Sequence, residues 1–408
     1  MESPADISWK GYSLAERDRR CKAVRENAAR AGFDCVFVPL CVDGRNLHLS
    51  LEQARGTRSD GRYLTQMENG AIVLPTDGRS PIVINDRGEG NEWWPEARAV
   101  NRGQRGSWGA VMAEALVDAG MERARIGVSG LGRGKVTHGR AIDGVVVHSA
   151  YAEVLRRLPN AKFEDATNIV GFARYVKGEE EIASLRRGAQ IAAAGLEEMV
   201  RVARPGVKAS LLYAWVMRRM LELGSEYYPW VMFASPIGEK SLRYQDPPIG
   251  LQLESNFLIT NETAAVWGGL IAQELQPLLL GPIPKEWQPV IELQRDIFHA
   301  GLEFMKPGRS IGELIDFVDA FGVKRGMKTL TLMHGRGYGN DGPLLTPQDP
   351  RAEHFHDVPI MKGNVFVWKP IAYSADGRIQ FSWGGVVVIT EKGGEMVTGR
   401  SPGMITIQ

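Results

Sequence analysis

The sequence has 408 residues, of which 44% are hydrophobic and 24% are charged, a composition typical of a globular protein with two or three domains. Its 49 Lys and Arg residues nearly balance 48 Asp and Glu residues, for a formal net charge of +1. That balance argues against the basic surface of a nucleic-acid-binding protein and against a polybasic membrane patch. We therefore expect a small-molecule substrate, with neither nucleic acid nor membrane as a partner.

The beginning of the chain and its cysteines predict a cytoplasmic protein. Residues 1–6 lack the basic and apolar regions of a signal peptide, and no apolar run approaches the ~20 residues of a membrane span. The chain contains three cysteines, Cys21, Cys35 and Cys41. An odd, sparse count fits a reducing compartment better than a disulfide framework.

The first 172 residues alternate between helix and strand patterns. Ser13-Leu-Ala-Glu16 has the form of a capping box, and the helix that it opens stops at Gly32. Further strand and helix patterns follow at 35–39, 70–75, 81–84, 111–119, 126–128 and 150–158. This alternation predicts an α/β domain over residues 1–172.

A different pattern begins near residue 173. Apolar residues recur every three or four positions from Ile182 to Ala203, which is typical of a long helix with one face in the core. Pro205-Gly206 ends this helix, and a second helix and a strand are predicted at 210–223 and 228–233. We therefore place a second domain at 173–408.

The second domain contains an internal repeat. Ala194-Gly-Leu-Glu-Glu-Met199, shortly before Pro205-Gly206, returns as Ala300-Gly-Leu-Glu-Phe-Met305 before Pro307-Gly308. Each copy precedes another helix and then strands. The repeat predicts two halves related by a pseudo-two-fold axis, with a site where they join.

One histidine lies in a glycine-dense stretch of the second half. His334 is followed by Gly335, Gly337 and Gly339, between an apolar run and a Pro-containing segment. Glycine lets the backbone approach a ligand closely. His334 is therefore a candidate active-site residue, although a glycine-rich turn with a structural histidine has the same pattern.

Several motifs in this order resemble the pita-bread superfamily, which includes methionine aminopeptidase, aminopeptidase P, prolidase and creatinase. They are Arg174-x-x-Lys177-x-x-Glu180-Glu181 at the start of the long helix, His334-Gly-x-Gly337, Phe366-Val-Trp-Lys369-Pro370 and the closing strand Val386–Thr390. The resemblance implies a creatinase-type N-terminal α/β domain followed by a pita-bread catalytic domain of mixed α/β (α+β) class.

The resemblance also implies where metal ligands would lie. The peptidases of the superfamily hold two divalent metals with two Asp, one His and two Glu. By spacing, four of these positions fall on Glu262, Gln273, His334 and Lys369. The fifth falls on Gly384 or on a residue next to it. A charged Lys has no lone pair and adds a repulsive positive charge. We therefore expect no metal and no other cofactor.

The remaining groups suggest roles in a metal-free site. His334 would be the general acid/base. Glu262 would orient it or bind substrate, and Lys369 would stabilise an oxyanion or act as a base. A structural ion pair between Lys369 and Glu262 is the alternative. Tyr244 stands where the superfamily has a substrate-side histidine, and it completes the predicted catalytic set.

Five further residues are candidates for substrate binding. Gln273 is a hydrogen-bond donor, Arg336 could clamp an anion, and Asp341, by spacing, replaces part of a second His-Glu pair. Trp267 and Trp383 could form an aromatic pocket, although aromatic residues on strands are more often core residues.

The sequence thus predicts a metal-independent, creatinase-like enzyme acting on a small polar or aromatic molecule, either as a C–N hydrolase or as a lyase. Resemblance to creatinase also implies a homodimer. Two alternatives stay open, a non-catalytic pita-bread binding module and a metallopeptidase-like enzyme with a rearranged metal site.

Overall fold

A computed structural model of the protein describes residues 9–40, 59–67, 69–100, 107–137, 143–226, 230–237, 242–244 and 250–408. Ser59, residues 242–244 and Asn340 are described by their backbone alone. The chain forms two compact units. The N-terminal unit comprises Gly11–Val176 and Tyr338–Leu344, and the C-terminal unit is built mainly from Lys177–Gly337 and Leu345–Gln408. The chain thus changes unit at Val176–Lys177 and again on either side of Tyr338–Leu344.

The N-terminal unit contains a six-stranded mixed sheet in the order β4-β3-β2-β1-β5-β6. Its strands are β1 (Cys35–Val38), β2 (Ala71–Pro75), β3 (Ile82–Asn85), β4 (Arg98–Ala99), β5 (Arg125–Val128) and β6 (Lys162–Asp165). Strand β1 pairs antiparallel with β2 and parallel with β5. The predicted hairpin of β2 and β3 is present, with Ile72 opposite Val83.

The described part of the N-terminal unit contains five α-helices. They are α1 (Leu14–Arg30), α2 (Ser59–Thr65), α3 (Trp108–Asp118), α4 (His148–Arg157) and α5 (Thr167–Tyr175). The Ser13 side chain caps α1 by accepting a hydrogen bond from the Glu16 N–H at 3.2 Å. Apolar residues of α3 and α4, including Met112, Leu116 and Val154, pack with Phe37 and Val73 of the sheet into one core.

The C-terminal unit is built around a mostly antiparallel sheet in the order β13-β15-β18-β10-β9-β11-β20. Strands β7 and β8 extend it beside β9, and β19 pairs with β18. Its strands are β7 (Val231–Pro236), β8 (Leu242–Tyr244), β9 (Phe257–Trp267), β10 (Leu270–Leu275), β11 (Leu278–Leu280), β13 (Met333–Arg336), β15 (Val365–Trp368), β18 (Gly384–Thr390), β19 (Gly393–Met396) and β20 (Ile405–Ile407).

A smaller three-stranded sheet lies in the same unit, in the order β12-β16-β17. Its strands are β12 (Lys328–Leu330), β16 (Ile371–Tyr373) and β17 (Gln380–Ser382). The remaining strand, β14 (Asn340–Leu345), contains most of the segment that belongs to the N-terminal unit. Sequence patterns alone did not predict that this segment leaves the C-terminal unit.

The described part of the C-terminal unit also contains four α-helices, α6 (Glu179–Val202), α7 (Ala209–Glu222), α8 (Gln288–Phe304) and α9 (Ile311–Val323). Helix α6 packs against β9 and β10, and a Cβ added at Gly188 would lie 3.1 Å from the Ala272 Cβ. None of the helices in the described ranges combines the length and apolar character that a membrane crossing needs.

The predicted internal repeat is present in the backbone hydrogen bonds that follow each long helix. In the first copy, Gly206 N–H donates to Leu253 O at 2.8 Å and Ala209 N–H donates to Leu251 O at 2.9 Å. In the second, Gly308 N–H donates to Ile360 O at 3.2 Å and Ile311 N–H donates to Val358 O at 3.0 Å. The mixed α/β class with two equivalent halves is therefore confirmed.

Gly206 and Gly308, the glycines of the two Pro-Gly pairs, both have φ near +91°. This left-handed conformation is inexpensive only for glycine. The Pro-Gly pair after each long helix therefore ends the helix and turns the chain toward a segment about 45 to 50 residues further on, where it forms an isolated β-bridge in both copies.

Two equivalent glycines of the repeat give a stability prediction. A Cβ at Gly301 would lie 2.2 Å from Cζ2 of the rigid Trp368 ring, whereas a Cβ at Gly195 would lie 2.9 Å from Cγ of the flexible Met220. We expect Gly301→Ala to lower the free energy of unfolding by about 2 kcal/mol or more, because the ring has no room to move. Gly195→Ala should change it by less than about 1 kcal/mol, since Met220 can adjust and alanine favours the helix.

Urea denaturation followed by circular dichroism measures both values, with Gly195→Ala as the matched control. Equal losses in the two variants would contradict the close packing of α8 on Trp368.

Candidate active site

Strand register places Glu262 and Gln273 on one face of the large sheet. Residues directly opposite each other in an antiparallel pair point to the same face, and so do residues two apart in one strand. Gln273 of β10 lies opposite Ala264 of β9, and Ala264 is two residues from Glu262. The side chains of Glu262 and Gln273 therefore share a face.

The same register argument adds residues of β13, β15 and β18. Leu275 lies opposite Gly384, so β18 presents Gly384 and Val386 on the face of Gln273. Val386 lies opposite Val367, and Val367 lies opposite His334. His334 and, two residues on, Arg336 therefore point to the face of Glu262 and Gln273.

Lys369 follows β15 directly and forms an ion pair with Glu262. Its Nζ donates a hydrogen bond to Oε1 of Glu262. The Lys369 side chain is 5% exposed and that of Glu262 is 25% exposed, so the carboxylate is the more accessible partner. The Lys369 backbone is fixed as well, because its N–H donates to Leu332 O at 3.2 Å and its carbonyl accepts from Ser382 Oγ at 2.7 Å.

Arg336 and Gln273 form a second pair on this face. Nη2 of Arg336 donates to Oε1 of Gln273, and both side chains are buried. Nε2 of Gln273 has no hydrogen-bond partner among the residues that the structure describes. Two cationic side chains thus each bond to a residue that the family resemblance assigns to a metal-ligand position.

His334 is 4% exposed. Its Nδ1 lies 2.9 Å from the Gly335 carbonyl oxygen. A carbonyl oxygen only accepts hydrogen bonds, so Nδ1 carries the proton in the neutral ring and Nε2 has the lone pair. The ring is thereby arranged with Nε2 as the basic nitrogen.

No side chain fits at Gly384, the position that the resemblance assigns to the last metal-binding carboxylate. A Cβ there would lie 1.8 Å from the Trp368 carbonyl oxygen and 3.2 Å from the Lys369 Cα. At Gly385 a Cβ would lie 2.4 Å from Oε2 of Glu274. Among the described residues, no group of three or more His, Cys, Asp or Glu side chains is arranged to hold a metal ion.

Asp341 belongs to the N-terminal unit and contacts Arg174 there. Arg174 donates to Asp341 Oδ1 and to Asp60 Oδ1, both at 2.5 Å, and to Thr137 Oγ1 at 2.7 Å. Its guanidinium is fully buried between the two carboxylates, which raise its pKa against the opposing effect of burial. The structure therefore does not group Asp341 with Glu262, His334 and Lys369 in one unit.

Arg20 anchors Tyr338 of the same segment. The Arg20 guanidinium is fully buried and donates to Tyr338 Oη at 2.8 Å. Four aromatic rings surround it at 4.5 to 5.4 Å, those of Tyr12, Tyr63, Trp93 and Tyr338. Sequence patterns gave no signal for this cluster, because its members are spread from residue 12 to residue 338.

The remaining predicted site residues lie elsewhere or outside the described part. Trp267 ends β9 on the face opposite to Glu262, with the Arg187 guanidinium 5.3 Å from its ring. Trp383 is 1% exposed, and its indole N–H has no partner within the described ranges. The backbone of Tyr244 lies opposite Met232, and its side chain is outside the described part of the structure.

A cavity of about 790 Å³ opens beside the ion pair. Glu262 and Ser382 contribute to its wall, together with Leu332, whose carbonyl accepts from the Lys369 N–H. Sequence patterns did not identify this cavity, because much of its wall comes from the β16–β17 hairpin and from residues 286 and 287.

Glu274 lies behind the site, on the face of β10 opposite to Gln273. It is 2% exposed, and burial raises its pKa to about 8, although the Arg400 charge and a hydrogen bond from Thr398 lower it. Its Oε1 has no hydrogen-bond partner in the described part of the chain. Glu274 is therefore mostly protonated at neutral pH.

Residues 183–391 match metallopeptidase family M24. This match covers just over half of the 408 residues, and the chain belongs to that family. The family membership agrees with the resemblance of the sequence motifs to the pita-bread superfamily.

Two relatives are enzymes with different reactions in their names. Ectoine hydrolase of Halomonas elongata is 27% identical over an alignment of 194 positions that covers 43% of this chain and 47% of that protein. Dimethylsulfoniopropionate lyase DddP of Roseobacter denitrificans is 24% identical over an alignment of 281 positions that covers 63% of this chain and 59% of that protein. The chain thus spans about half the length of the relatives it matches.

Solved structures share the fold over nearly the whole chain. The X-Pro aminopeptidase of Thermotoga maritima superposes with a TM-score of 0.71 over 95% of this chain and 99% of that one, at 16% sequence identity. At this identity the likeness establishes the pita-bread architecture and nothing about activity.

The raised pKa of Glu274 predicts a pH-dependent stability. Its value of about 8 in the folded protein lies above the ordinary 4.5, so the folded state keeps a proton that the unfolded state releases. The contribution of Glu274 to the free energy of unfolding is therefore fully present below pH 4.5. It declines between pH 4.5 and pH 8, by up to about 1.4 kcal/mol per pH unit. We expect Glu274→Gln to gain stability over the wild type across this window, by a few kcal/mol at its upper end.

Urea unfolding at a series of pH values measures the difference between the two proteins. Glu197→Gln, at an exposed position on α6, is the control and should give a flat difference. A flat difference for Glu274→Gln as well would contradict a protonated carboxyl at this position.

Proposed function

We propose that this protein is a metal-independent, creatinase-like enzyme that hydrolyses a C–N bond, or eliminates a leaving group as a lyase, with His334 as general acid/base. Its substrate is a small polar or aromatic molecule. The observation that carries the proposal is the Lys369–Glu262 ion pair, because the family resemblance assigns both residues to metal-ligand positions.

The donor groups present do not fit two divalent cations. The Lys369 ammonium has no lone pair, and the Gln273 carbonyl oxygen accepts from Arg336. At Gly384 a side chain would collide with the Trp368 backbone. Glu262 and His334 alone are too few ligands for two hard or borderline cations. The positive charges of Lys369 and Arg336 would also repel a cation bound on this face of the sheet.

The geometry supports proton transfer by Nε2 of His334. In hydrolysis, Nε2 takes a proton from water as the water oxygen bonds to the substrate carbon, and the imidazolium returns a proton to the departing nitrogen as the C–N bond breaks. In elimination, Nε2 takes a proton from the carbon next to the one that bears the leaving group, the C–H electrons form a C=C bond, and the leaving group departs with the electrons of its own bond. The Lys369 ammonium would stabilise the negative charge that develops on oxygen.

The other predicted residues have unequal support. Gln273 and Arg336 share the face of His334, so we propose that they orient substrate. Roles for Tyr244, Asp341, Trp267 and Trp383 rest on the sequence pattern alone. The homodimer that resemblance to creatinase implies is also part of this proposal.

The relatives support both reaction types. One is named a hydrolase and another a lyase, and both reactions need a positioned proton carrier.

Removing the proposed proton carrier should abolish turnover. A screen of small amides, amidines and β-substituted acids would be run with wild type, His334→Ala and the control His299→Ala, which changes an exposed histidine of α8. We expect kcat to fall at least about 100-fold in His334→Ala and to stay unchanged in His299→Ala. Equal turnover by all three proteins would remove His334 from the mechanism.

The metal content of the purified protein tests whether the enzyme is independent of metal. Mass spectrometry of the purified protein should find less than about 0.1 equivalent of Mn, Fe, Co or Zn, and chelators should leave activity unchanged, because a Lys and an amide are poor substitutes for carboxylates. The double variant Lys369→Glu, Gln273→Asp restores two carboxylates and should bind Mn²⁺ more tightly than wild type. Stoichiometric metal in the wild type would refute metal independence.

A further inference from the structure

We infer that the cavity beside Glu262 binds a planar aromatic group of the substrate and directs an amide or amidine N–H of the same molecule to the Glu262 carboxylate. This inference rests on the proposed function and narrows it to a substrate class, small aryl amides and amidines that carry no anionic group.

The size of the cavity suits such a molecule. Its volume is about 790 Å³, inside the range of about 300–1,000 Å³ that is typical of small-molecule sites. Strands β7 and β9 form one wall, with Phe233 and Leu258, and the β16–β17 hairpin forms another. Glu262 lies in the β9 wall, so the cavity reaches the ion pair.

Aromatic and aliphatic side chains line the hairpin side. Trp287 and Phe381 meet edge to face, with ring centroids 4.9 Å apart and an interplanar angle of 61°. They are 7% and 3% exposed, so protein holds both rings in fixed positions. Leu258 and Ile371 also line the space. Fixed rings and aliphatic groups favour a flat apolar ligand, which gains burial and ring contacts.

Charge in the cavity disfavours an anion. Of the described residues that line it, Glu262 and Glu286 are anionic and Arg378 is cationic. The Arg378 side chain is 87% exposed and lies 3.6 Å from Asp376, so solvent and a carboxylate weaken its field. A ligand carboxylate has no hydrogen to donate, so at the polar end it would meet the like charge of Glu262 without a hydrogen bond.

The Glu262 carboxylate forms the polar end of the cavity. One of its oxygens accepts from Lys369, and a carboxylate offers about four lone-pair sites. A quarter of this side chain remains exposed. A planar N–H donor therefore suits this end, and it would place the scissile C–N group next to the Lys369 ammonium.

Binding can be measured without turnover in the His334→Ala protein. Isothermal titration would compare 2-naphthamide, acetamide and 2-naphthoate. We expect 2-naphthamide to bind at least about tenfold more tightly than acetamide, because the ring system buries apolar area. It should also bind at least about tenfold more tightly than 2-naphthoate, because the anion is repelled. Equal affinity for all three compounds would overturn the inference.

Substitutions in the wall of the cavity test whether 2-naphthamide binds there. Thr260→Trp fills the cavity from β9 and should abolish 2-naphthamide binding, whereas Thr406→Trp, at an exposed position on β20, should leave it unchanged. Phe381→Leu is a milder change that should weaken 2-naphthamide about fivefold and leave cyclohexanecarboxamide unchanged. Because Phe381→Leu keeps an apolar side chain, it still tests the site if Thr260→Trp does not fold. If 2-naphthamide bound equally well to every folded variant with a substitution in the cavity wall, the inference that it binds in this cavity would be refuted.

The outcomes for binding and for catalysis are separable. Selective binding of 2-naphthamide with no turnover by wild type would support the cavity assignment and contradict the proposed catalysis. His334-dependent turnover of an amide that Thr260→Trp and Phe381→Leu do not affect would support the catalysis and overturn the assignment of the cavity.

Discussion

The ion pair between Lys369 and Glu262 joins residues 107 positions apart in the chain, and the candidate site is arranged around it. Removing one partner of a buried pair typically costs about 3–5 kcal/mol, because a charge is left without compensation. The cost here is smaller, since Glu262 is partly exposed. The pair still sets the electrostatics of the site face, because it buries an ammonium there and leaves a partly exposed carboxylate in the wall of a cavity.

The backbone around Lys369 explains why the pair has a defined geometry. Trp368 Nε1 donates to the Phe298 carbonyl of α8 at 3.0 Å, and Gln294 of the same helix donates to the Pro370 carbonyl at 2.7 Å. Gly301 and Gly384 approach Trp368 from two sides, with no space for a Cβ. The residues before and after Lys369 are thus held by one helix. Such support keeps a reactive or substrate-binding group within a narrow range of positions.

The segment after His334 is held by a different set of charges. Tyr338 and Asp341 are bound in the N-terminal unit by two fully buried guanidinium groups, those of Arg20 and Arg174. The chain therefore passes from one unit to the other within a few residues of the candidate general acid/base. Mutations at Arg20 or Arg174 act far from Glu262 in sequence, yet they act on the segment that continues directly from His334.

The sequence by itself determined the fold class, the repeated Pro-Gly helix ends and the candidate positions on β9, β10 and β13, because hydrophobic periodicity, glycine conformation and strand alternation are local properties. The tertiary structure decided which candidates lie together. It paired Lys369 with Glu262 and Arg336 with Gln273, placed Asp341 with Arg174 in the N-terminal unit and put Trp267 on the opposite face of β9. It also revealed the cavity beside Glu262. Register between distant strands, the volume available at Gly384 and the enclosure of Arg20 by four rings depend on packing among remote segments, which no local pattern encodes.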